Sequence, residues 1–264
     1  MEVRTFPNSR RPGAGLPPKR EASRPLLPQH ARHCPVLEAG SGLGFMVYAP
    51  LEPKESVYVE YEGEGRYKFV YYLQTQDGKR TPLFQVTISQ PVGSIGMLKE
   101  EVTFVGPPLL SRDAALAVAR VFLVPEDMGT PPGAVALRGA TNFRTPAGWD
   151  TVYTPIFNMI ERPVAPMLVV RVETDWYTHE SEFRYVLQAG EGISIEPSLP
   201  IGQVFFVPRE EIAMRPCTSD EMKELEDSRE EFSREKAAAT QKTSYGLSYS
   251  PHYLRQSREK AEDR

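Results

Sequence analysis

Apolar and polar residues alternate along much of this chain, and the clearest run lies at residues 168–176. Leu168, Val170, Val172, Thr174 and Trp176 point one way, and Val169, Arg171, Glu173 and Asp175 the other. A period of two over this length marks a half-buried antiparallel strand, because a helix would scatter the same residues around its circumference. The same pattern predicts strands at 45–49, 57–61, 67–72, 83–88, 102–105, 183–188 and 203–207. Asp77-Gly78 fits the type I′ turn of a hairpin. Gly190-Glu191-Gly192 supplies turn positions that would join 183–188 to Ile193 and Ile195 as a further hairpin. Pro197 and Pro200 lack a donor N–H and are expected to interrupt pairing. Tyr48, Tyr58, Tyr61, Tyr67, Tyr71 and Tyr72 recur on the early strands, where aromatic cross-strand packing is the expected use.

Two helices stand out against this background. Ser111 is a plausible N-cap for an alanine-rich segment running to about residue 121. Thr218 and Glu221 form a capping box that opens a helix reaching about Thr240. Its apolar residues are few (Met222, Leu225 and Phe232), a stripe suited to a surface helix or to one that docks on a partner. The fold expected is all-β: a sandwich or jelly-roll-like antiparallel domain with one or two peripheral helices and extended tails. It divides into a basic, proline-rich disordered arm at 1–32, a β-rich domain at 33–209, and a surface helix with a tyrosine-containing tail at 210–264.

Composition sharpens this division. The chain has 264 residues and 25 prolines, roughly twice the usual ~5% share, which favours many short strands over long helices. Residues 1–32 hold seven Lys/Arg, two Asp/Glu and six prolines, a composition that cannot bury enough apolar surface to offset its ordering entropy. That arm carries +5 and residues 209–264 carry −2, so the middle carries −7 to reach the net −4. Opposite charge on arm and body is compatible with the arm of one copy lying on the body of the next. Only Phe6 accompanies the basic residues of the arm, which argues against nucleic acid. Tyr245, Tyr249 and Tyr253 are the expected anchors of the C-terminal tail on a protein partner. No apolar run approaches the ~20 residues of a membrane span. The basic N-terminus lacks the apolar stretch of a secretory signal. A cytoplasmic location, or one within an intracellular or virion assembly, is expected.

Candidate chemistry is sparse. Cys34 and Cys217 make neither a disulfide framework nor a zinc site. His33 beside Cys34 reads as a packing thiol rather than a catalytic pair, since sequence neighbours rarely face each other. Gly40-Ser-Gly-Leu-Gly lacks the preceding strand and following helix of a dinucleotide loop. The histidines are His30, His33, His179 and His252, with no His-x-His pair. Half a metal triad is offered by Asp175 and His179. No Gly-x-Ser-x-Gly elbow or phosphate loop is present. No catalytic residue, metal ligand or cofactor is therefore assigned. The leading expectation is a structural or binding module of a larger protein assembly, its partners being copies of itself or other assembly components. The alternatives are a cupin-like metal-dependent enzyme and a carbohydrate-binding β-sandwich with platforms at Trp149 and Trp176. The residues expected to gather at a ligand site are Arg144, Trp149, Asp175, Trp176 and His179, with Arg144 pairing Glu173 or Asp175 as the structural outcome.

Four segments carry a resemblance: Cys34-Pro35-Val36, Phe143-Arg144-Thr145…Gly148-Trp149, Val172-Glu173-Thr174-Asp175-Trp176, and Gly190-Glu191-Gly192…Val207-Pro208-Arg209. In these the chain resembles a family of bacterial and phage domains of unknown function, over roughly residues 34–209. The segment at 112–132 and both tails fit that pattern less well. The resemblance implies a single β-rich domain with a closing hairpin and brings no activity with it.

Overall fold

The alternating runs between residues 55 and 104 fold as an antiparallel meander in the computed structural model, which describes residues 2–22, 34–89, 99–125, 131–159, 167–242, 244, 246 and 248–262. In chain order the first unit, Met1–Glu210, contains β1 (Arg4–Pro7), α1 (Pro35–Ser41), β2 (Phe45–Tyr48), β3 (Glu55–Gly63), β4 (Arg66–Gln74), β5 (Arg80–Ser89) and β6 (Lys99–Phe104). It continues with α2 (Arg112–Phe122), β7 (Leu123–Pro125), β8 (Ala134–Arg138), β9 (Thr141–Arg144) and β10 (Trp149–Thr154). The closing strands are β11 (Met167–Leu168), β12 (Val170–Val172), β13 (Glu182–Val186), β14 (Gly192–Ile195) and β15 (Pro200–Pro208). Three larger sheets result, with strand orders β14-β3-β4-β5-β6, β12-β10-β15-β2 and β11-β13-β8-β7. This is an antiparallel, sandwich-like all-β domain with peripheral helices.

The core follows from the alternation. Phe69 on β4 and Phe84, Val86 and Ile88 on β5 turn inward, with Val57 and Val59 beside them on β3. Helix α2 lays Ala115, Ala119 and Phe122 onto this layer, where small alanines let it approach and Phe122 stacks on Phe69 at 6.2 Å. The other sheets add Leu137, Tyr153, Phe183 and Val204 to the same apolar cluster. Four of the early tyrosines, Tyr48, Tyr61, Tyr67 and Tyr71, are buried. Tyr61 faces Tyr67 directly across β3 and β4 with ring centroids 5.0 Å apart.

Four expectations are corrected. The run at 168–176 is not one strand: β11 pairs with β13, β12 pairs with β10, and the chain changes sheet at Val169 before turning at Thr174–Trp176. Alternation reports a local period and says nothing about which neighbour supplies the ladder. For the same reason 183–188 and 193–195 are not a hairpin, since β13 lies against β8 and β14 against β3. Pro200 does not stop pairing either. It opens β15 opposite Tyr48, a first position where its missing N–H is tolerated.

The fourth correction concerns residues 2–22, part of the segment whose composition predicts a disordered arm. They form a strap on the domain. β1 pairs antiparallel with β9, and Asn8 is fully buried. The Asn8 N–H donates to the Ala140 carbonyl at 2.9 Å and its side-chain amide to that of Gly139 at 3.1 Å. Its Oδ1 accepts the N–H groups of Arg10 and Arg11, an Asx turn that reverses the chain. Arg11 then grips Glu55 with two bonds of 2.7 and 3.0 Å and lies over the Phe122 ring at 5.7 Å. Tyr71 donates its hydroxyl to the same carboxylate. Burial alone would raise the Glu55 carboxyl, but the bonds from Arg11, Tyr71 and the Glu52 N–H outweigh it and hold Glu55 below the usual range. Further on, Lys19 and Met46 exchange two backbone bonds and Arg20 caps the Gly42 carbonyl. A disorder argument from composition counts apolar surface, and it misses a segment held by backbone pairing and buried polar contacts.

The second unit, Glu211–Arg264, consists of α3 (Ser219–Ala238), β16 (Gln241–Lys242), β17 (Ser248–Tyr249) and α4 (His252–Glu262). The Thr218–Glu221 capping box is formed in both directions. Among the described residues no helix is long and apolar enough to cross a membrane.

Candidate functional site

The turn after β12 is where polar chemistry converges. Thr174 is fully buried, and its hydroxyl lies 2.9 Å from that of Thr145 and 2.7 Å from that of Thr151. Thr145 donates to the Trp149 carbonyl at 2.6 Å. Each hydroxyl has one proton, so that terminal acceptor sets the direction of the chain: Thr151 donates to Thr174, Thr174 to Thr145, and Thr145 to Trp149. Buried in this way, the three hydroxyls tie β10, the 145–149 loop and the turn together.

An ionic cluster lies along the same turn. The Asp150 side chain, only 3% exposed, receives Arg171 at 2.6 Å and Arg209 at 2.5 Å. Arg209 also reaches Asp175 at 2.7 Å and Glu173 at 3.7 Å. The remaining Asp175 oxygen accepts the Gly148 N–H at 2.9 Å. Burial would raise the Asp150 carboxyl, and the two guanidinium groups more than reverse that, holding it below the ordinary range. Hydrogen bonding from Arg209, then from the Gly148 N–H, lowers Asp175 as well. β15 runs beside β10 with Pro208 opposite Trp149, so the chain delivers residue 209 next to Asp150. The Arg209 N–H donates to the Gly148 carbonyl at 2.7 Å and fixes that approach.

Held by Thr174 on one side and Asp175 on the other, the turn presents Trp176 and Tyr177 to solvent. They are 64% and 49% exposed. The Trp176 indole N–H donates to the Glu173 carboxylate, and its ring lies 5.8 Å from that of Tyr177. Tyr177 stacks on His179 at 5.5 Å, His179 meets Tyr153 edge-on at 6.1 Å, and Tyr153 meets Phe183 at 5.6 Å. The rings thus form a ladder from solvent to core. Burial lowers the His179 imidazole, favouring its neutral form. Burial also pushes the Tyr153 hydroxyl up to about 12.

Of the residues expected here, Asp175, Trp176 and His179 belong to this turn and its ladder. Trp149 is half-buried at the head of β10, and among the described residues no ring contact joins it to Trp176. Arg144 lies on β9 opposite Arg4 of the strap. Its expected pairing with Glu173 or Asp175 is corrected: Arg209 occupies that role. Asp175 is engaged by Arg209 and Gly148, while His179 lies between two tyrosine rings. Among the described residues no group of three His, Cys, Asp and Glu side chains is placed to hold a metal ion. In the second unit Tyr249 and Tyr253 are exposed. Tyr245, His30 and His33 lie outside the described residues.

Sequence reasoning missed Asp150, Arg171, Arg209 and the threonine chain. One signal was available. Asp150 sits inside the otherwise strand-forming Trp149-Asp-Thr-Val-Tyr, and a buried carboxylate requires a cationic partner. A separate cavity of about 440 Å³ lies between the strap and the start of β3, but Glu55 there is bound by Arg11, and Arg80 holds Glu196 at 2.8 Å. No family model and no curated protein matches this chain.

Proposed function

We propose that the protein is a non-catalytic structural or binding module of a larger protein assembly, and that Trp176 and Tyr177 are its principal contact with a protein partner. The observation that supports this reading is the contrast within one turn. Thr174 is fully buried and Asp175 is pinned by Arg209 and Gly148, yet the next two residues expose large aromatic rings. Rigid presentation lowers the ordering cost of binding, and Trp, Tyr and Arg are the residues most often found at interface hot spots. Arg171, half-exposed, is held by Asp150 at 2.6 Å within the ionic cluster of that turn. The resemblance to bacterial and phage β-rich domains is in keeping with such a module. The test is affinity capture from the native source with the full chain and a Trp176→Ala/Tyr177→Ala variant. Loss of a specific captured protein at unchanged melting temperature supports the reading, and identical capture by both chains refutes it.

A further inference from the structure

The second unit carries a surface of a different kind. Helix α3 runs for 20 residues without a buried residue. Its start is fixed by the capping box and by Arg215, which binds Glu221 at 2.7 and 2.6 Å. Met222, Leu225 and Phe232 fall at i, i+3 and i+10, one narrow stripe on one face of the helix. The C-terminal end of that stripe is occupied. Phe232 packs on His252 of α4 with centroids 4.9 Å apart, His252 lies 3.1 Å from Glu235, and Ser250 donates to the Lys236 carbonyl at 2.9 Å. At the N-terminal end Met222 and Leu225 are exposed.

We infer that the Met222–Leu225 end of this stripe docks a basic amphipathic helix from a partner protein. Two observations select that occupant. The stripe continues an interface whose other end is already taken by α4, which bears three Lys/Arg against two Glu and sets His252 and Gln256 against Glu235 of α3. The helix itself carries eight Asp/Glu against four Lys/Arg, and Glu221 and Glu226 flank the exposed pair on either side. A second copy of α3 would set these acids against their own kind and Arg229 against Arg229 between the apolar contacts, which is disfavoured on both counts. A helix with apolar residues at a and d and Lys/Arg at e and g satisfies both the stripe and its flanks.

The experiment uses the full chain and two synthetic helical peptides, both with leucine at a and d, one with lysine and the other with glutamate at e and g, followed by titration calorimetry. The lysine peptide is expected to bind at least about tenfold more tightly than the glutamate peptide. Met222→Ala/Leu225→Ala, which keeps helix propensity, is expected to weaken binding by about tenfold or more. Asp227→Asn/Glu231→Gln, which alters the opposite face, is expected to change it by less than about threefold. Equal losses in the two variants would show general charge attraction and overturn the inference. So would failure of the lysine peptide to bind, or a dimer by light scattering that Met222→Ala/Leu225→Ala dissolves.

Discussion

Replacing Thr174 with valine keeps the side-chain shape and deletes the central hydroxyl of the buried chain. Two hydrogen bonds disappear, at 2.9 Å to Thr145 and 2.7 Å to Thr151. Thr151, which is fully buried, is left with a proton and no acceptor. Each lost bond is worth about 1 kcal/mol and an orphaned buried donor about 1–3 kcal/mol, part of which is already counted in the bond. The expected destabilisation is therefore about 2–4 kcal/mol. For a chain of this size that lowers the melting temperature by roughly 5–15 °C. Thr174→Ser is the control, since it retains the hydroxyl and loses one buried methyl, about 0.8 kcal/mol. Scanning calorimetry of the three proteins at one pH decides the matter. A valine variant that melts with the wild type, or a serine variant that falls as far as the valine one, would refute the assignment of these hydroxyls as the anchor of the turn.

Four other outcomes are expected. Arg209→Ala should lower the melting temperature clearly, whereas Arg144→Ala, which removes no partner of Asp150 or Asp175, should change it by less than about 2 °C. Asp150 titrates below its ordinary value in the fold, so its contribution is complete above that value and is lost as pH falls through the depressed one. Acid unfolding of Arg209→Ala should consequently begin at higher pH than in the wild type. Gly44 has φ +74°, and a Cβ there would lie 2.0 Å from the Val204 carbonyl, while Gly190 has φ +83° and open space. Gly44→Ala should cost about 2 kcal/mol or more and Gly190→Ala about 1 kcal/mol, which denaturant titration separates. Deleting residues 1–20 should reduce thermal stability and expose new protease sites near Glu55, and an unchanged melt would contradict the strap.

Local signals carried most of the elements. Asp77-Gly78 marks the β4–β5 hairpin, although its loop spans 75–79 with Gly78 rather than Asp77 at positive φ, so it is not the two-residue type I′ turn expected. The alternation at 57–61 and 67–72 locates β3 and β4 because Val57, Val59 and Tyr61 pair with Tyr71, Phe69 and Tyr67 on one buried face. Thr218 and Glu221 placed the start of α3 because a capping box is complete within four residues. What was illegible is long-range. Nothing in residues 183–195 states that β13 pairs with β8 and β14 with β3. Nothing in residues 4–11 states that Arg11 meets Glu55, a partner supplied by tertiary packing. The site divides along the same line: Asp175 and Trp176 stand out in their motif, whereas the arginine that fixes Asp175 arrives from the end of β15.

The most direct measurement of the aromatic turn as a partner surface is photo-crosslinking in the native source with a benzophenone amino acid in place of Tyr177, compared with the same probe at exposed Lys79. The expected result is a discrete adduct to one protein from position 177, absent from position 79 and abolished by Trp176→Ala, in a chain that melts as the wild type does. No adduct at 177, or the same adducts from both positions, would contradict it.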